Sequence, residues 1–348
     1  MNKFLKYIAI NFSIISAMIG LNGCTAIMDD EPEPCPSGIE VRFIYDYNLE
    51  RANAFPAQVE CLVLHIYDSE GKHVKTLTEN SDILSDEDYR MRINDLPEGE
   101  YTLVAYGGTT CEKASITHTN YPVEGQEHYL TDLGMKLNDE CLEPGNPAGR
   151  LHDHFYGTLN NVIVKVQPNL QKVTVKMMKN TNHFRIILQH LSYEPLDGND
   201  YEFEIVDDNT LFAHNNDLVK NGDVSYSPWG IGSVSTGDHN ADNEDETRAA
   251  ITEVKVAYAD LSTSRLMKKN NPKLIVTHKE SGTEVINIAL NNYLLAMRSD
   301  YYDWCGEQEF LDRKSEWPMV FFLDDDRHWN KTYIKVDNWI VRVNEITQ

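Results

Sequence analysis

The chain consists largely of short segments in which apolar and polar residues alternate. Positions 41, 43, 45 and 47 are apolar or aromatic and can face a core together. This period of two is typical of half-buried β-strands, since helices repeat every 3.6 residues. The same pattern predicts further strands in both halves of the chain. They lie at residues 62–67, 73–77, 101–106, 162–166, 173–177, 186–188, 254–258, 319–323, 333–336 and 339–343.

A β-hairpin and two short helices complete the predicted elements. Residues 274–277 and 285–288 are rich in branched apolar side chains, and a polar segment that ends in Gly282 separates them. Short helices are predicted at residues 291–298 and 308–317, where Leu and Phe side chains can cover a sheet. Many short strands without alternating long helices are typical of β-sandwiches. We therefore predict an all-β fold.

The length of the chain predicts two domains. Removing residues 1–23 from the 348-residue chain leaves 325 residues, which is long for one sandwich. We expect two tandem β-sandwich domains with a few short helices, over residues 39–167 and 168–348. The Pro-Gly-Asn-Pro segment at 144–147 is an alternative boundary, although it reads equally well as a long loop. No short sequence repeat indicates a solenoid or a propeller.

The first residues have the pattern of a lipoprotein signal peptide. Lys3 and Lys6 precede an apolar stretch at residues 7–21, and Gly23 stands directly before Cys24. The stretch is too short and too interrupted for a membrane-spanning helix, and a small residue before cysteine is typical of lipoprotein cleavage. We predict that residues 1–23 are removed and that Cys24 carries the lipid that anchors the protein. The alternative is an ordinary signal peptide with an unrelated cysteine.

Residues 24–38 are predicted to be a lipidated N-terminus followed by an acidic tether. Four acidic residues and three prolines lie between positions 25 and 36, a composition typical of an extended, solvated spacer. An acidic run at this place also resembles the surface-export signal of some Gram-negative lipoproteins. No further run of about 18 apolar residues occurs, so the lipid is the predicted membrane attachment.

The charge excludes one class of partner. The net charge is −24, and without the two lysines of residues 1–23 it becomes −26, from 29 basic and 55 acidic residues. Nucleic-acid binding requires clustered Lys and Arg, so we predict no nucleic-acid partner. A strongly acidic surface is compatible with a soluble body exposed outside the cytoplasm.

The cysteines leave the disulfide pairing open. With Cys24 assigned to lipid, five remain, so at most two disulfides form and one thiol stays free. No C-x-x-C motif indicates a zinc ribbon or a redox site. The alternative is a fold that does not depend on disulfides, in which cysteines are buried or unpaired. The five residues are Cys35, Cys61, Cys111, Cys141 and Cys305.

Three groups of polar residues have weak similarity to chemical sites. His152 and His154 flank Asp153 and can share one face of a strand, as a metal pair would, but structural histidines beside a loop are the preferred interpretation. Residues 238–242 resemble half of a calcium loop that lacks its glycine and its final glutamate. Residues 324–326 are three aspartates best explained as a solvated turn. We predict no enzymatic activity, no cofactor and no metal.

Aromatic residues allow two interpretations. The chain contains 18 Tyr and five Trp. Such side chains build adhesive pockets and protein interfaces, but they also complete sandwich cores while keeping a polar tip near water. The second interpretation is preferred from the sequence.

An ordered series of short segments extends along nearly the whole chain after Cys24. No single segment is decisive, and the order gives the series its specificity. Together they resemble the fimbrillin-A-associated anchor protein family of FimB type. The segments are Cys-Pro-Ser-Gly at 35–38, Asp-Tyr-Asn at 46–48, Phe55, Gln-Val at 58–59, Tyr-Asp at 67–68, Gly71, residues 99–105, Phe-Tyr-Gly at 155–157, Lys-Asn-Thr-Asn at 179–182, Arg-Leu-Met at 265–267, Gln-Glu-Phe-Leu-Asp-Arg at 308–313, Phe-Phe-Leu-Asp at 321–324 and Trp339.

The resemblance implies a fold and a role. It implies two transthyretin-like β-sandwich domains and a minor fimbrial subunit that tethers a fimbria to the outer membrane and limits its length. The implied partners are fimbrial structural subunits. Tyr106 departs from the family, which often has Trp at that position. Because the family is large and paralogous, its members need not anchor the same fimbria.

Two hypotheses concern binding. We expect either the first strand, residues 41–47, or the last, residues 339–343, to lie at an open sheet edge and to pair with a strand of the adjacent subunit. Either one could instead be an ordinary internal strand. The alternative function is a surface lipoprotein whose sandwich loops bind glycan or a host ligand.

Overall fold

The computed structural model describes residues 38–123, 125–167, 169–236, 254–336 and 339–342. The described chain is all-β with three short helices, which confirms the predicted fold class. The strands are β1 (Ile39–Ile44), β2 (Cys61–Asp68), β3 (His73–Glu79), β4 (Met91–Ile93), β5 (Gly99–Gly108), β6 (Ile116–His118), β7 (Gly134–Leu137), β8 (His154–Val164), β9 (Gln171–Lys179), β10 (Thr181–His190), β11 (Tyr201–Asp207), β12 (Leu211–Ala213), β13 (Leu218–Val219), β14 (Val224–Tyr226), β15 (Gly230–Thr236), β16 (Val254–Ser264), β17 (Lys273–His278), β18 (Thr283–Ala289), β19 (Glu316–Leu323), β20 (Trp329–Val336) and β21 (Trp339–Arg342). The helices are α1 (Phe55–Gln58), α2 (Leu290–Ala296) and α3 (Glu307–Arg313).

The N-terminal sandwich is a seven-stranded sheet that folds over its own core. Its strand order is β3-β2-β5-β8-β9-β1-β4. β8 and β9 pair over three residues only, at 155–157, so the strands on either side can face one another. Leu64 of β2 and Val41 of β1 meet in that core. Gly157 stands at this joint because a Cβ there would lie 2.7 Å from the carbonyl oxygen of Lys176.

The other face of β2, β5 and β8 is buried as well. A small sheet of order β13-β12-β7-β6 is built from both halves of the chain, because β12 pairs antiparallel with β7. Tyr67 and Tyr106 from the N-terminal sheet share one core with Phe184 and Phe203 from the C-terminal half. The two halves are therefore joined by strand pairing and by a continuous hydrophobic core.

The C-terminal sandwich packs a six-stranded sheet against a four-stranded one. The orders are β15-β16-β10-β19-β20-β21 and β14-β11-β17-β18. Ile186 of β10 and Ile205 of β11 are fully buried in the shared core. The predicted hairpin is β17–β18, and the two predicted helices are α2 and α3, which bury Leu294 and Phe310.

Strand pairing bears on the predicted boundary at residues 167 and 168. β9 lies beyond that boundary, yet it pairs with β8 and runs parallel to β1 over residues 39–44. The next strand, β10, pairs with β16 and β19 of the C-terminal sheet. We therefore propose that the N-terminal domain extends to Lys179 and that the chain changes domain at Asn180.

Candidate functional site

Four of the segments that carry the family resemblance, at 46–48, 179–182, 265–267 and 308–313, meet at the junction of the two sandwiches. We call this set of contacts the junction brace. It contains side chains from the 46–48 loop, from the start of β10 and the turn before it, from the turn between β12 and β13, from the segment after β16 and from α3. Its members are Tyr47, Asn180, Asn182, Asn216, Arg265, Asp312 and Arg313.

A buried ion pair forms the centre of the brace. Arg265 donates from Nε and Nη2 to the two carboxylate oxygens of Asp312, at 2.7 and 2.9 Å. The side chains are only 13% and 5% exposed. Gln308 adds a hydrogen bond to Asp312 at 2.8 Å and another to the carbonyl of Leu266 at 3.0 Å. Buried charges require such complete pairing, because each one loses its hydration.

Arg313 connects the brace to the N-terminal domain. Its Nη1 donates to the carbonyls of Asp46 and Asn48 at 3.3 and 3.2 Å. Its guanidinium also lies 4.0 Å from the centre of the Tyr47 ring, a cation–π geometry. α3 therefore holds the 46–48 loop through charge-assisted hydrogen bonds and stacking.

The turn between β9 and β10 is fixed by buried amides. Asn180 and Asn216 exchange hydrogen bonds of 2.7 and 3.0 Å between their side chains. Asn182 accepts a bond from Nε1 of Trp317 at 3.1 Å and donates to the carbonyl of Ser264 at 3.2 Å. All three asparagines are almost fully buried. The polar Lys-Asn-Thr-Asn segment at 179–182 is therefore buried at the junction of the two sandwiches.

Asp153 lies beside this joint. Nζ of Lys179 is 2.9 Å from Oδ1 of Asp153, and His183 donates from Nε2 to the same oxygen at 3.0 Å. Burial opposes ionisation of Asp153, but the His183 hydrogen bond and the Lys179 charge outweigh it and lower the pKa to about 2. The carboxylate is therefore held in an ion-pair network.

Four histidines gather where β6 and the loop before β7 cover the N-terminal sheet, and we call them the histidine cluster. Nε2 of His65 lies 3.0 Å from Nε2 of His118, and Nδ1 of His65 lies 2.8 Å from Oγ1 of Thr76. His73 reaches the same hydroxyl at 2.8 Å. His128 donates to the carbonyl of Asn120 and stands 3.5 Å from the hydroxyl of Tyr67.

Burial keeps this region uncharged. Desolvation, together with the neighbouring histidines, lowers the pKa of His65 to about 2. Burial and His128 lower the pKa of His118 to about 4, and burial lowers that of His154 to about 3. An imidazole with such a pKa is neutral at physiological pH, so His65 and His118 are joined by a neutral hydrogen bond and by a ring contact.

A cavity of about 370 Å³ opens beside the cluster. His152, Asp153 and His154, the predicted metal candidates, all line it, together with Tyr106 and Tyr121. Among the residues that the structure describes, no three His, Cys, Asp or Glu side chains are arranged to hold a metal ion. Two of these residues have other partners. Nδ1 of His152 lies 3.2 Å from the hydroxyl of Ser115, and Asp153 forms an ion pair with Lys179.

Sequence reasoning did not identify the histidine cluster. Its members lie on β2, β3, β6 and the loop before β7, and a strand pattern does not state which strands cover one another. One signal was present: β2 places polar His65 and aromatic Tyr67 on the face opposite Leu64. A strand with large side chains on both faces indicates a sheet that is covered on both sides.

One disulfide borders the cavity. Cys61 of β2 is bonded to Cys111 in the loop before β6, and both line the cavity. Cys141 and Cys305 are buried free thiols. Cys35 and the predicted lipidation residue Cys24 lie outside the described residues.

The two edge-strand hypotheses have different outcomes. The first strand is not an edge: β1 is internal, because β9 pairs along its full length and β4 pairs with residues 39–41. The pattern within residues 41–47 does not reveal this pairing, because the parallel neighbour β9 lies far along the chain. The last strand, β21, pairs with β20 alone within the described chain and ends the six-stranded sheet.

The structure describes one of the two acidic segments and most of the aromatic residues. Residues 324–326 form the turn between β19 and β20, as predicted. Residues 238–242 lie outside the described residues. Tyr67, Tyr201, Tyr226 and Trp317 are buried in the core, as expected for most aromatics. Others are exposed, among them Tyr121, Tyr301 and Trp304.

The sequence matches the profile of the fimbrillin-A-associated anchor proteins Mfa1 and Mfa2 over residues 31–345. The chain belongs to this anchor protein family. The family is one of fimbrial structural proteins and not of enzymes, so this protein is a fimbria-associated structural protein. No curated protein matches the sequence. Within the described chain, no helix has the length and apolar character that crossing a bilayer would require.

Solved structures agree with the anchor-family fold. A candidate adhesin from Bacteroides thetaiotaomicron is 46% identical, with a TM-score of 0.79, and the match covers 90% of this chain and 100% of that one. A second protein from the same species, described as a candidate for polysaccharide binding, is 30% identical over 89% and 99% of the two chains, with a TM-score of 0.71. The fimbrial anchor protein Mfa2 from Porphyromonas gingivalis has a TM-score of 0.61 at 16% identity over 89% and 100%, which supports the fold alone.

Proposed function

We propose that this anchor-family protein is a lipidated minor subunit that holds a surface fimbria to the outer membrane. Family membership is the observation that carries the proposal. The Gly23-Cys24 pair after an apolar stretch supports lipidation, and two or three acyl chains give a lasting anchor. Residues 24–38 act as the tether between the lipid and the N-terminal sandwich.

Substitution of Cys24 tests the anchor. Cells that express the full-length protein are labelled with palmitate, and their outer membranes are separated from soluble material. The Cys24→Ala variant is expected to lose the label and to leave the membrane fraction. Cys35→Ala is the matched control, because it removes a nearby cysteine outside the cleavage pattern, and it should keep both. Retention of label by Cys24→Ala would overturn the lipid assignment.

The edge of the C-terminal sheet supports a pairing surface for the next subunit. β21 is the outer strand of the six-stranded sheet in the described chain, and a strand edge offers unpaired N–H and C=O groups. We propose that fimbrial structural subunits pair here. Such a surface lies in the domain that the tether does not enter, so membrane attachment and fimbrial contact are assigned to different sandwiches.

Recovery of partners tests this assignment. The full-length protein is purified from gently solubilised outer membranes, and copurifying proteins are identified by mass spectrometry. Fimbrillin-like subunits are expected, and deletion of residues 339–348 should remove them while circular dichroism remains that of a folded β protein. If the deletion variant is folded and still recovers the subunits, β21 is not the pairing surface.

A second candidate function is glycan binding at the cell surface. Two observations favour it: a 30% identical protein is described as a candidate for polysaccharide binding, and Tyr121 is 47% exposed at a cavity. Recovery of the lipidated protein without fimbrial subunits would favour this function, and glycan arrays with the full-length protein would then test it.

A further inference from the structure

A buried carboxyl group, that of Asp207, lies at the end of β11. Asp207 is 3% exposed, and Asn270, from the segment before β17, is 7% exposed. Nδ2 of Asn270 donates to Oδ1 of Asp207 at 3.0 Å, and the backbone N–H of Asp208 donates to the same oxygen at 2.8 Å. One oxygen of the carboxyl group therefore has two donors.

The other oxygen has no donor within the described chain. Oδ2 of Asp207 and Oδ1 of Asn270 are both buried there without a hydrogen-bond partner. They differ from the other such atoms of the described residues in one respect, because their two residues are hydrogen-bonded to each other. Two acceptors without donors thus belong to a single carboxyl–amide pair.

The orientation of the Asn270 amide is fixed by a second contact. Its Nδ2 also donates to the carbonyl oxygen of Asp208 at 3.2 Å. Because a carbonyl oxygen cannot donate, turning the amide by 180° would place two acceptors against each other. Oδ1 of Asn270 is therefore the atom that requires a donor.

The surroundings of Asp207 oppose a charge on its carboxyl group. Desolvation raises its pKa, against the hydrogen bond from Asn270. Of two nearby charges, Lys220 lowers the pKa and Asp208 raises it, but Lys220 is 59% exposed and lies 3.5 Å from Asp208. The neighbouring Tyr226 of β14 is uncharged, because burial raises its pKa.

We propose that Asp207 carries a proton on Oδ2 and donates a hydrogen bond to Oδ1 of Asn270, so that the acid and the amide form a cyclic pair with two hydrogen bonds. One proton then satisfies both acceptors, and no charge is buried. The pair ties the end of β11 to the segment before β17. The fimbrial role does not depend on it.

The pair makes the stability of the fold depend on pH. In the folded chain the pKa of Asp207 lies above the ordinary value of about 3.9 that applies to the unfolded chain. The contribution to stability is therefore fully present below about pH 3.9 and is lost as the pH rises through the folded pKa. A buried neutral histidine has the opposite dependence, since acid weakens it.

Infrared spectroscopy of the full mature chain, held in a detergent without carbonyl groups, detects the proton directly. The difference between the native chain and Asp207→Asn is recorded at about pH 5.5, where exposed aspartates are ionised. We expect the carbonyl band of a protonated acid in the native chain. Asp207→Asn should fold, because its Nδ2–H can replace the acid O–H.

Asp95→Asn is the matched control. The Asp95 side chain is 70% exposed, and the hydrogen bond from Lys75 lowers its pKa. The difference spectrum for this variant should therefore show the band of an ionised carboxylate.

Urea unfolding between about pH 5 and pH 8 measures the energetic consequence. The unfolding constant of the native chain, divided by that of Asp207→Asn, is expected to rise by about 3- to 10-fold, because ionisation removes the hydrogen bond to Asn270. The same ratio for Asp95→Asn should stay constant, since that carboxylate remains ionised throughout.

Three results would overturn the proposal. The first is a carboxylate band of Asp207 at about pH 5.5, which is the outcome if water or a cation fills the gap. The second is an unfolding ratio that does not change with pH. The third comes from Asn270→Ala, which also serves if Asp207→Asn does not fold. This variant removes the acceptor, so the acid band should move to higher frequency, and an unmoved band contradicts the pair.

Discussion

The junction brace and the histidine cluster are two polar regions of one shared core with opposite electrostatics. At the brace, Arg265 and Asp312 form a buried ion pair with two hydrogen bonds of 2.7 and 2.9 Å. In the cluster, burial keeps His65 and His118 neutral, and they interact through a single imidazole contact of 3.0 Å. Close to the cluster, the buried hydroxyl of Tyr106 has no hydrogen-bond partner among the residues that the structure describes.

The two regions differ in how strongly they fix the positions of their side chains. Saturated, paired charges fix one geometry, because any displacement leaves a buried charge without its partner. This suits a junction that holds the two sandwiches in one arrangement. A displacement in the histidine cluster breaks hydrogen bonds between neutral groups only, which costs less than leaving a buried charge without its partner.

The largest expected effect comes from breaking the brace. Arg265→Ala should destabilise the protein by about 3–5 kcal/mol, because Asp312 stays buried without its countercharge. Urea unfolding of the purified protein measures this. Lys75→Ala is the matched control, since Lys75 also reaches both oxygens of its partner Asp95 but does so at the surface. It should change stability by less than about 1 kcal/mol. Equal losses of stability in the two variants would show that burial does not make the Arg265–Asp312 pair more important than a surface ion pair.

Loss of the disulfide should be the next largest effect. The Cys61–Cys111 bond spans 50 residues and ties β2 to the loop before β6, so its reduction should destabilise the cavity region by about 2–4 kcal/mol. Thermal unfolding with and without dithiothreitol measures the change. The Cys61→Ala/Cys111→Ala double variant should no longer respond to the reductant. A persisting response would assign the effect to the remaining cysteines.

The histidine cluster predicts a pH dependence. The pKa of His118 is lowered to about 4 in the folded chain, so below about 6.5 the unfolded chain binds a proton that the folded chain does not. Stability is therefore fully present above pH 6.5 and falls as the pH falls towards 4, by at most about 3 kcal/mol for this residue.

The measurement is a set of urea unfolding curves between pH 7 and pH 4.5, recorded for the native chain and for His118→Asn. The variant should lose less stability on acidification, because it lacks the group that takes up the proton. Carboxylates titrate in both proteins, so the difference between the two curves isolates the histidine. Parallel curves would contradict the assignment.

A conservative change at the brace should have the smallest effect. Arg313→Lys keeps the charge but loses the planar group that reaches two carbonyls and stacks on Tyr47. We expect a loss of about 1 kcal/mol. Hydrogen exchange in residues 46–52 should accelerate while exchange in β17 and β18 stays unchanged. Uniform acceleration would mean that Arg313 stabilises the whole fold and not this loop.

Much of the fold was predictable because the signals are local. Alternation over residues 62–67 and 274–288 depends on the two faces of a strand, so the strands and the hairpin were found. The two short helices followed from adjacent apolar residues that cover a sheet. The ordered segments of the resemblance also identified the family, which the match over residues 31–345 confirms.

The candidate sites were less predictable because they depend on distant pairs. His152 and His154 were noticed as neighbours in sequence, but His65 and His118 are 53 positions apart and meet only when β6 covers β2. Arg265 and Asp312 each belong to a recognised segment, yet nothing in either segment names the other as its partner. The same holds for Cys61 and Cys111.

The sequence by itself determined the all-β class and the anchor family, and it predicts lipid attachment at Cys24, because alternation, segment order and the residues around a cysteine are properties of adjacent positions. Tertiary structure alone decided that β1 is internal, that β12 joins the two halves, and which polar groups are paired or left open. The physical reason is that strand pairing and desolvation depend on which surfaces cover one another, and that is settled only when both sandwiches close around their cores.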